Sequence, residues 1–104
     1  MNNTALKLKI ERAANVEIQI SGYRKEGYVY AYPIGSGEMI GSKMYWPGVK
    51  PIASQDSYGQ KTTAQANRVA LLKLAATLGV NLSDDDKNAA ARANQADFDA
   101  RTRR

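Results

Sequence analysis

The chain has 104 residues and a formal net charge of +5, a length that suits one domain. It contains no Cys and no His, which excludes thiolate and imidazole metal sites, cysteine nucleophiles, His-based triads and disulfide-stapled scaffolds. No apolar run approaches the roughly 18 residues of a membrane span, and the first residues lack the apolar stretch of a signal peptide. We therefore expect a cytoplasmic protein that does not contact membranes.

Charge and apolar residues are distributed unevenly along the chain. Residues 1–78 carry ten basic and five acidic side chains, whereas residues 79–104 carry five of each. Beyond Leu82, Phe98 is the only large apolar residue. This asymmetry predicts a compact basic α+β body over residues 1–82 and a C-terminal appendage over residues 83–104.

Two segments near the N-terminus alternate between apolar and polar residues. Their apolar positions are Leu6, Leu8 and Ile10 in the first, and Val16, Ile18 and Ile20 in the second. Such alternation predicts strands with one buried face. For residues 5–14 a helix capped by Asn3-Thr4 is the alternative, but Leu8 fits that helix poorly, so we favour the strand.

Residues 28–32 form the most strand-like segment, because aromatic and β-branched side chains dominate it. Pro33 then indicates an edge position or a strand end. A Gly-Ser-Gly turn at residues 35–37 leads into a predicted fourth strand over residues 38–46. Residues 47–61 follow as a connection that is long for so small a domain, which is typical of a functional or mobile loop.

A helix is predicted from Thr62 or Thr63 to Leu78, with Gly79 at its C′ position. This helix carries apolar stripes on two sides, so it needs cover from the sheet and from a second element. An Ala-rich helix that begins at Ser83 is the candidate for that cover, although alanines bury little area. The predicted fold is α+β: a four-stranded, mainly antiparallel sheet packed by one main helix, with a weaker C-terminal helix.

The residues give little support for catalysis. Only Glu17, Glu38 and Asp56 could meet in a site within the body, and nothing in their spacing requires it. The acidic run at residues 84–86 suits a helix N-terminus better than a metal. Ser36 lacks both the full nucleophile-elbow spacing and a His base. We therefore expect neither an enzyme nor a bound metal or cofactor.

Most of the aromatic residues lie on or beside the two predicted central strands, close to several cations. The candidate binding residues are Tyr28, Tyr30, Tyr32, Arg24, Lys25, Lys43, Tyr45, Trp46 and Lys61. If Val29 and Ala31 face the helix, the tyrosines form a ladder on the opposite face. That ladder could bind a protein or stack nucleic-acid bases. Alternatively, the helix packs on the tyrosines, which are then core residues.

This order of elements resembles parts of two known families. Strands followed by an Ala-rich helix opening at Gly59-Gln60-Lys61 resemble the second half of a double-stranded-RNA-binding domain, which implies that Lys61 contacts phosphate. Thr62 and Gln65 stand where that family has basic residues. The same order is similar to the first half of a ribonuclease-H-like fold, but Ser21-Gly22 replaces its first metal-binding Asp, so that activity does not carry over.

In size and composition the chain also resembles small accessory proteins of phages and mobile elements, including anti-CRISPR inhibitors. This resemblance implies a non-catalytic inhibitor or binding protein that engages a nucleic-acid-handling complex. The alternative is direct binding of DNA or RNA by a basic-aromatic sheet face. The expected partner is thus a protein of such machinery, with nucleic acid as the second candidate, and a homodimer remains open.

Overall fold

The computed structural model describes residues 2–82. Two helices and five strands follow one another along the chain as α1 (Asn3–Ala14), β1 (Val16–Ile20), β2 (Gly27–Pro33), β3 (Glu38–Ile40), β4 (Lys43–Tyr45), β5 (Ala53–Ser57) and α2 (Thr63–Thr77). The α+β class is confirmed. Within residues 2–82, no helix is both long enough and apolar enough to span a bilayer.

A three-stranded antiparallel sheet in the order β1-β2-β5 forms the centre of the fold. β2 is the middle strand, with Ile18 of β1 opposite Ala31 and Gln55 of β5 opposite Val29. Pro33 is the last residue of β2, so it ends this strand without interrupting the ladder. The strands predicted around residues 16–20 and 28–32 are therefore confirmed.

Both helices pack on one face of this sheet. Val29 and Ala31 of β2 lie in the core with Leu71 and Leu74 of α2, and all four side chains are fully buried. Gly27 allows α2 to lie against β2, since a Cβ atom there would lie 2.3 Å from the carbonyl oxygen of Ala66. The opposite face of the sheet carries the tyrosines of β2, and neither helix of residues 2–82 covers it.

The N-terminal segment is a helix, and the prediction of a strand there is wrong. Asn2 is its N-cap, and its side chain accepts a hydrogen bond from the Ala5 N–H at 2.8 Å. The helix places Leu6 and Ile10, four residues apart, in the core, while Leu8 stays 41% exposed. Burying two of three apolar residues against α2 and β1 outweighs the alternation that favoured a strand.

The predicted four-stranded sheet is also wrong. Residues 38–46 do not form one strand: β3 and β4 pair with each other as a separate two-stranded hairpin around Gly41, which has φ +65°. The third strand of the main sheet is β5, which lies inside the 47–61 segment that we read as a loop. β5 contains Ala, Ser, Gln and Asp, so it lacks the large apolar residues that mark a strand.

Helix α2 is confirmed, with Thr62 as its N-cap and Gly79 in the left-handed region at φ +74°. Helix α1 packs beside the start of α2: Asn3 donates to the Ala64 carbonyl at 3.0 Å and accepts from Arg68 Nε at 2.7 Å. The predicted C-terminal helix and the 83–104 appendage lie outside the described residues.

Candidate binding surfaces

The tyrosines of β2 lie on the sheet face opposite the helices, because Val29 and Ala31 between them point into the core. We call this side the tyrosine face. Tyr28 and Tyr30 are half-buried there, whereas Tyr32 is only 8% exposed. The ladder is therefore accessible at one end and covered at the other.

Carboxylates accompany the accessible end of the tyrosine face. The Tyr28 hydroxyl donates to Glu26, and this hydrogen bond raises the pKa of Tyr28. Tyr58 packs edge-on against Tyr28, with ring centroids 6.0 Å apart, and donates to Asp56 at 3.2 Å. Because carboxylates repel phosphates, these neighbours make this end of the face less suited to nucleic acid than the sequence suggested.

Tyr32 is covered by Trp46, the residue that follows the β3–β4 hairpin. Their rings are stacked at 4.7 Å with planes 7° apart, and the Tyr32 hydroxyl donates to Gln19 at 2.9 Å. Burial raises the pKa of Tyr32. Tyr32 and Trp46 thus form a contact between the sheet and the hairpin, and little of Tyr32 is available to a partner.

The predicted basic residues separate into two places. Arg24 and Lys25 occupy a tight turn with positive φ, where the Lys25 N–H donates to Thr63 Oγ1 at 2.9 Å. This contact brings the turn to the start of α2, two residues from Lys61. Lys43 lies in β4 on the hairpin. The structure therefore gathers Arg24, Lys25 and Lys61 at the start of α2 and places Lys43 on the hairpin.

The hairpin is held to the sheet by the carboxylate of Glu17, on β1. Glu17 Oε1 accepts from the Gly37 N–H and from Trp46 Nε1, both at 2.9 Å, and Oε2 accepts from the Gly35 N–H at 3.0 Å. The Trp46 bond, aided by the two backbone bonds, lowers the pKa of Glu17 below its ordinary value. Glu17, which the sequence offered as a possible catalytic acid, thus fixes the position of the hairpin.

The hairpin itself buries none of its residues. The exposed fractions of its apolar side chains and of the neighbouring Ile34 are large: Ile34 (59%), Met39 (66%), Ile40 (56%), Met44 (39%) and Tyr45 (43%). We call this set the hairpin surface. Met39 and Met44 are cross-strand partners on one side of the hairpin, and Ile40 and Tyr45 belong to the other. Large apolar side chains grouped this densely are typical of an interaction site.

The three body carboxylates considered for catalysis do not converge. Glu17 lies opposite Tyr32 and Asp56 opposite Tyr28, on the two edge strands. Strand spacing and rise place their Cα atoms about 16 Å apart, too far to share a metal ion. Glu38 lies exposed on the hairpin. In the part of the chain that the structure describes, no three potential ligands of the His, Cys, Asp or Glu type are grouped.

Several residues of these surfaces were missed in the sequence. Tyr45 was among the candidates, but Ile34, Met39, Ile40 and Met44 were not. A signal for the hairpin was present: apolar residues on both sides of Gly41-Ser42, between two glycine or proline turns, cannot all be buried in so short a segment. No comparable signal in the sequence showed that a carboxylate would fix this hairpin.

Comparison with protein-family models, with curated proteins and with solved structures finds no match for this chain.

Proposed function

We propose that this chain is a non-catalytic binding protein that recognises another protein through the hairpin surface. The observation that carries the proposal is a hairpin of six strand residues, all exposed, that presents Met39, Ile40, Met44 and Tyr45 to solvent. Apolar anchors on a protein surface contribute most of the affinity of many protein complexes. Such a hairpin contributes little to the core of the domain, and its exposed side chains are better explained by a partner.

The way in which the hairpin is attached supports the same proposal. Three hydrogen bonds to Glu17 and the stacked rings of Tyr32 and Trp46 fix its orientation before a partner arrives. Pre-organisation reduces the entropy lost on binding, so a fixed hairpin binds more tightly than a mobile one with the same side chains.

The charge of the chain supports one class of partner. The body carries ten basic and five acidic residues, which favours a partner with an anionic surface, such as a complex that handles nucleic acid. We propose an inhibitor or accessory role toward such a complex, the role suggested by the chain's likeness in size and composition to accessory proteins of phages and mobile elements.

Direct binding of DNA or RNA is the second candidate. One observation favours it: the turn holding Arg24 and Lys25 is bonded to the start of α2, beside Lys61. Three cations in one place could contact a phosphate backbone. The carboxylates of Glu26 and Asp56 on the tyrosine face count against the base-stacking form of this alternative.

Site-resolved crosslinking in the native host tests the proposal. A photoreactive amino acid is placed at Ile40 on the hairpin surface, at Tyr30 on the tyrosine face, or at the exposed Lys50 as a matched control. We expect one protein to crosslink at position 40, unaffected by nuclease treatment, with little at positions 30 and 50.

Two results would contradict the proposal. Crosslinks to nucleic acid that disappear with nuclease would support the second candidate. Equal labelling of many proteins at positions 40 and 50 would show that the hairpin surface has no specific partner.

A further inference from the structure

A cleft of about 590 Å³ lies between α1, the outer edge of β1 and the hairpin. Leu8 of α1 forms one wall, Ile34 and Met44 form the other, and Val16 and Ile18 line the bottom. The side chains of Leu8, Ile34 and Met44 are each more than a third exposed. Within residues 2–82 the cleft is thus mostly apolar, open on one side, and continuous with the hairpin surface through Met44.

The walls of this cleft are fixed by hydrogen bonds. On the hairpin side, Glu17 bonds to Gly35, Gly37 and Trp46. On the helix side, Glu11 Oε2 accepts from the Ile18 N–H at 2.8 Å, which ties α1 to β1. The cleft therefore exists before any ligand binds.

The charged residues around the cleft are not equivalent. Glu11 is already bonded to Ile18 and paired with Lys7 at 3.5 Å, and the oxygens of Glu17 accept from three donors. Within residues 2–82, Lys7–Glu11 is the one ion pair at this cleft, which leaves the exposed Arg12 guanidinium on the rim open to a ligand. The charge that the cleft still offers is therefore positive.

We propose that the cleft binds an apolar segment of the protein partner that carries an Asp or Glu side chain for Arg12. The inference rests on the proposed function and names the chemistry of the partner. Arg binds a carboxylate through two parallel hydrogen bonds, while the apolar walls receive the neighbouring side chains. Continuity with the hairpin surface favours a protein segment over a small molecule, which would use the cleft alone.

Selection from a random peptide display library, with the full-length chain as bait, tests the inference without knowledge of the partner. We expect the enriched peptides to combine large apolar residues with Asp or Glu. A synthetic peptide of the enriched sequence should bind Arg12→Glu at least tenfold more weakly than the unmodified chain. Arg12→Lys should recover part of this loss, and Lys50→Glu, which makes the same charge change away from the cleft, should bind normally.

Four results would overturn the inference: no enrichment, enrichment of Lys or Arg, binding unchanged in Arg12→Glu, or a dimer in sedimentation that Met44→Asp dissociates. The last result would show that a second copy fills the cleft. These outcomes are separable from failure of the proposed function, which is measured by crosslinking at Ile40 and does not involve Arg12.

Discussion

Replacing Glu17 with Gln should loosen the hairpin while leaving the three-stranded sheet folded. Gln keeps the length of the side chain, and its single carbonyl oxygen can still accept from Gly37 and Trp46, which both bond to Oε1. The bond from Gly35 to Oε2 is lost, because the amide nitrogen of Gln is a donor and faces another N–H.

The size of this effect follows from these three bonds. A hydrogen bond to a charged group contributes about 1.5–3 kcal/mol and a neutral one about 0.5–1.5 kcal/mol. One charged bond disappears and two become neutral. At the lower ends of these ranges the three changes amount to about 3.5 kcal/mol. Because Glu17 is partly exposed, so that water screens its charge and can replace a lost bond, we expect the hairpin to lose about 2 kcal/mol of attachment free energy.

Trp46 is the only tryptophan in the chain, so its fluorescence reports the position of the hairpin. Glu17→Gln should shift its emission toward that of a solvated indole and speed hydrogen exchange at Gly35 and Gly37. Far-UV circular dichroism should change little. Glu38→Gln is the matched control, since it makes the same chemical change at an exposed residue of the hairpin.

The lowered pKa of Glu17 gives the same prediction a pH dependence. A carboxyl group with a pKa below its ordinary 4.5 contributes stability above pH 4.5 and loses it as the pH falls through the folded-state value. A Trp46 fluorescence transition should therefore appear below pH 4.5 and be absent from Glu17→Gln. If Glu17→Gln matches the unmodified chain in emission, exchange and acid titration, Glu17 does not hold the hairpin.

Substitutions at four further positions test the packing, each by chemical denaturation. Tyr32→Ala should lower the free energy of unfolding by about 3 kcal/mol, because the Tyr32 ring is buried. Tyr30→Ala should lower it clearly less, because Tyr30 is half-exposed. Equal losses would show that both tyrosines are core residues. Gly27→Ala should lower the free energy of unfolding by about 2 kcal/mol or more, because the new Cβ would overlap backbone atoms of Ala66. An unchanged free energy of unfolding would refute that contact. Asn15 is the C-cap of α1 and has φ +57°, in the left-handed region. Asn15→Ala should therefore lower the free energy of unfolding by about 1 kcal/mol, while Asn15→Gly should leave it unchanged or raise it. The reverse order would contradict the left-handed cap.

The predictable parts of the fold were those in which one local pattern dominates. The strand of residues 28–32 is rich in aromatic and β-branched residues, and α2 has a clear cap at Thr62 and a glycine after its end. Segments 5–14 and 53–57 were mispredicted because tertiary packing decides them. Leu6 and Ile10 fit either period, and only packing against α2 and β1 selects the helix, which leaves Leu8 exposed. β5 is formed by pairing with β2 beneath α2 rather than by its own composition.

The candidate surfaces, too, were predictable only where a local pattern determines them. Placing Val29 and Ala31 in the core and the tyrosines on the other face needs only the two-residue period of a strand. Burial of Tyr32 depends on Trp46, fourteen residues later, and the second carboxylate near Tyr28 is Asp56 of β5. Contacts of this kind join distant parts of the chain, and a single sequence carries no local signal for them.

Binding of the crosslinked partner to the unmodified chain and to Ile40→Asp, across a series of salt concentrations, tests the central claim most directly. Loss of an apolar anchor should cost about 2 kcal/mol of binding free energy, or about thirtyfold in affinity, and the salt dependence should stay shallow for both chains. An affinity that is unchanged in Ile40→Asp, and that falls log-linearly and steeply with salt, would contradict protein recognition by the hairpin surface and indicate polyanion binding instead.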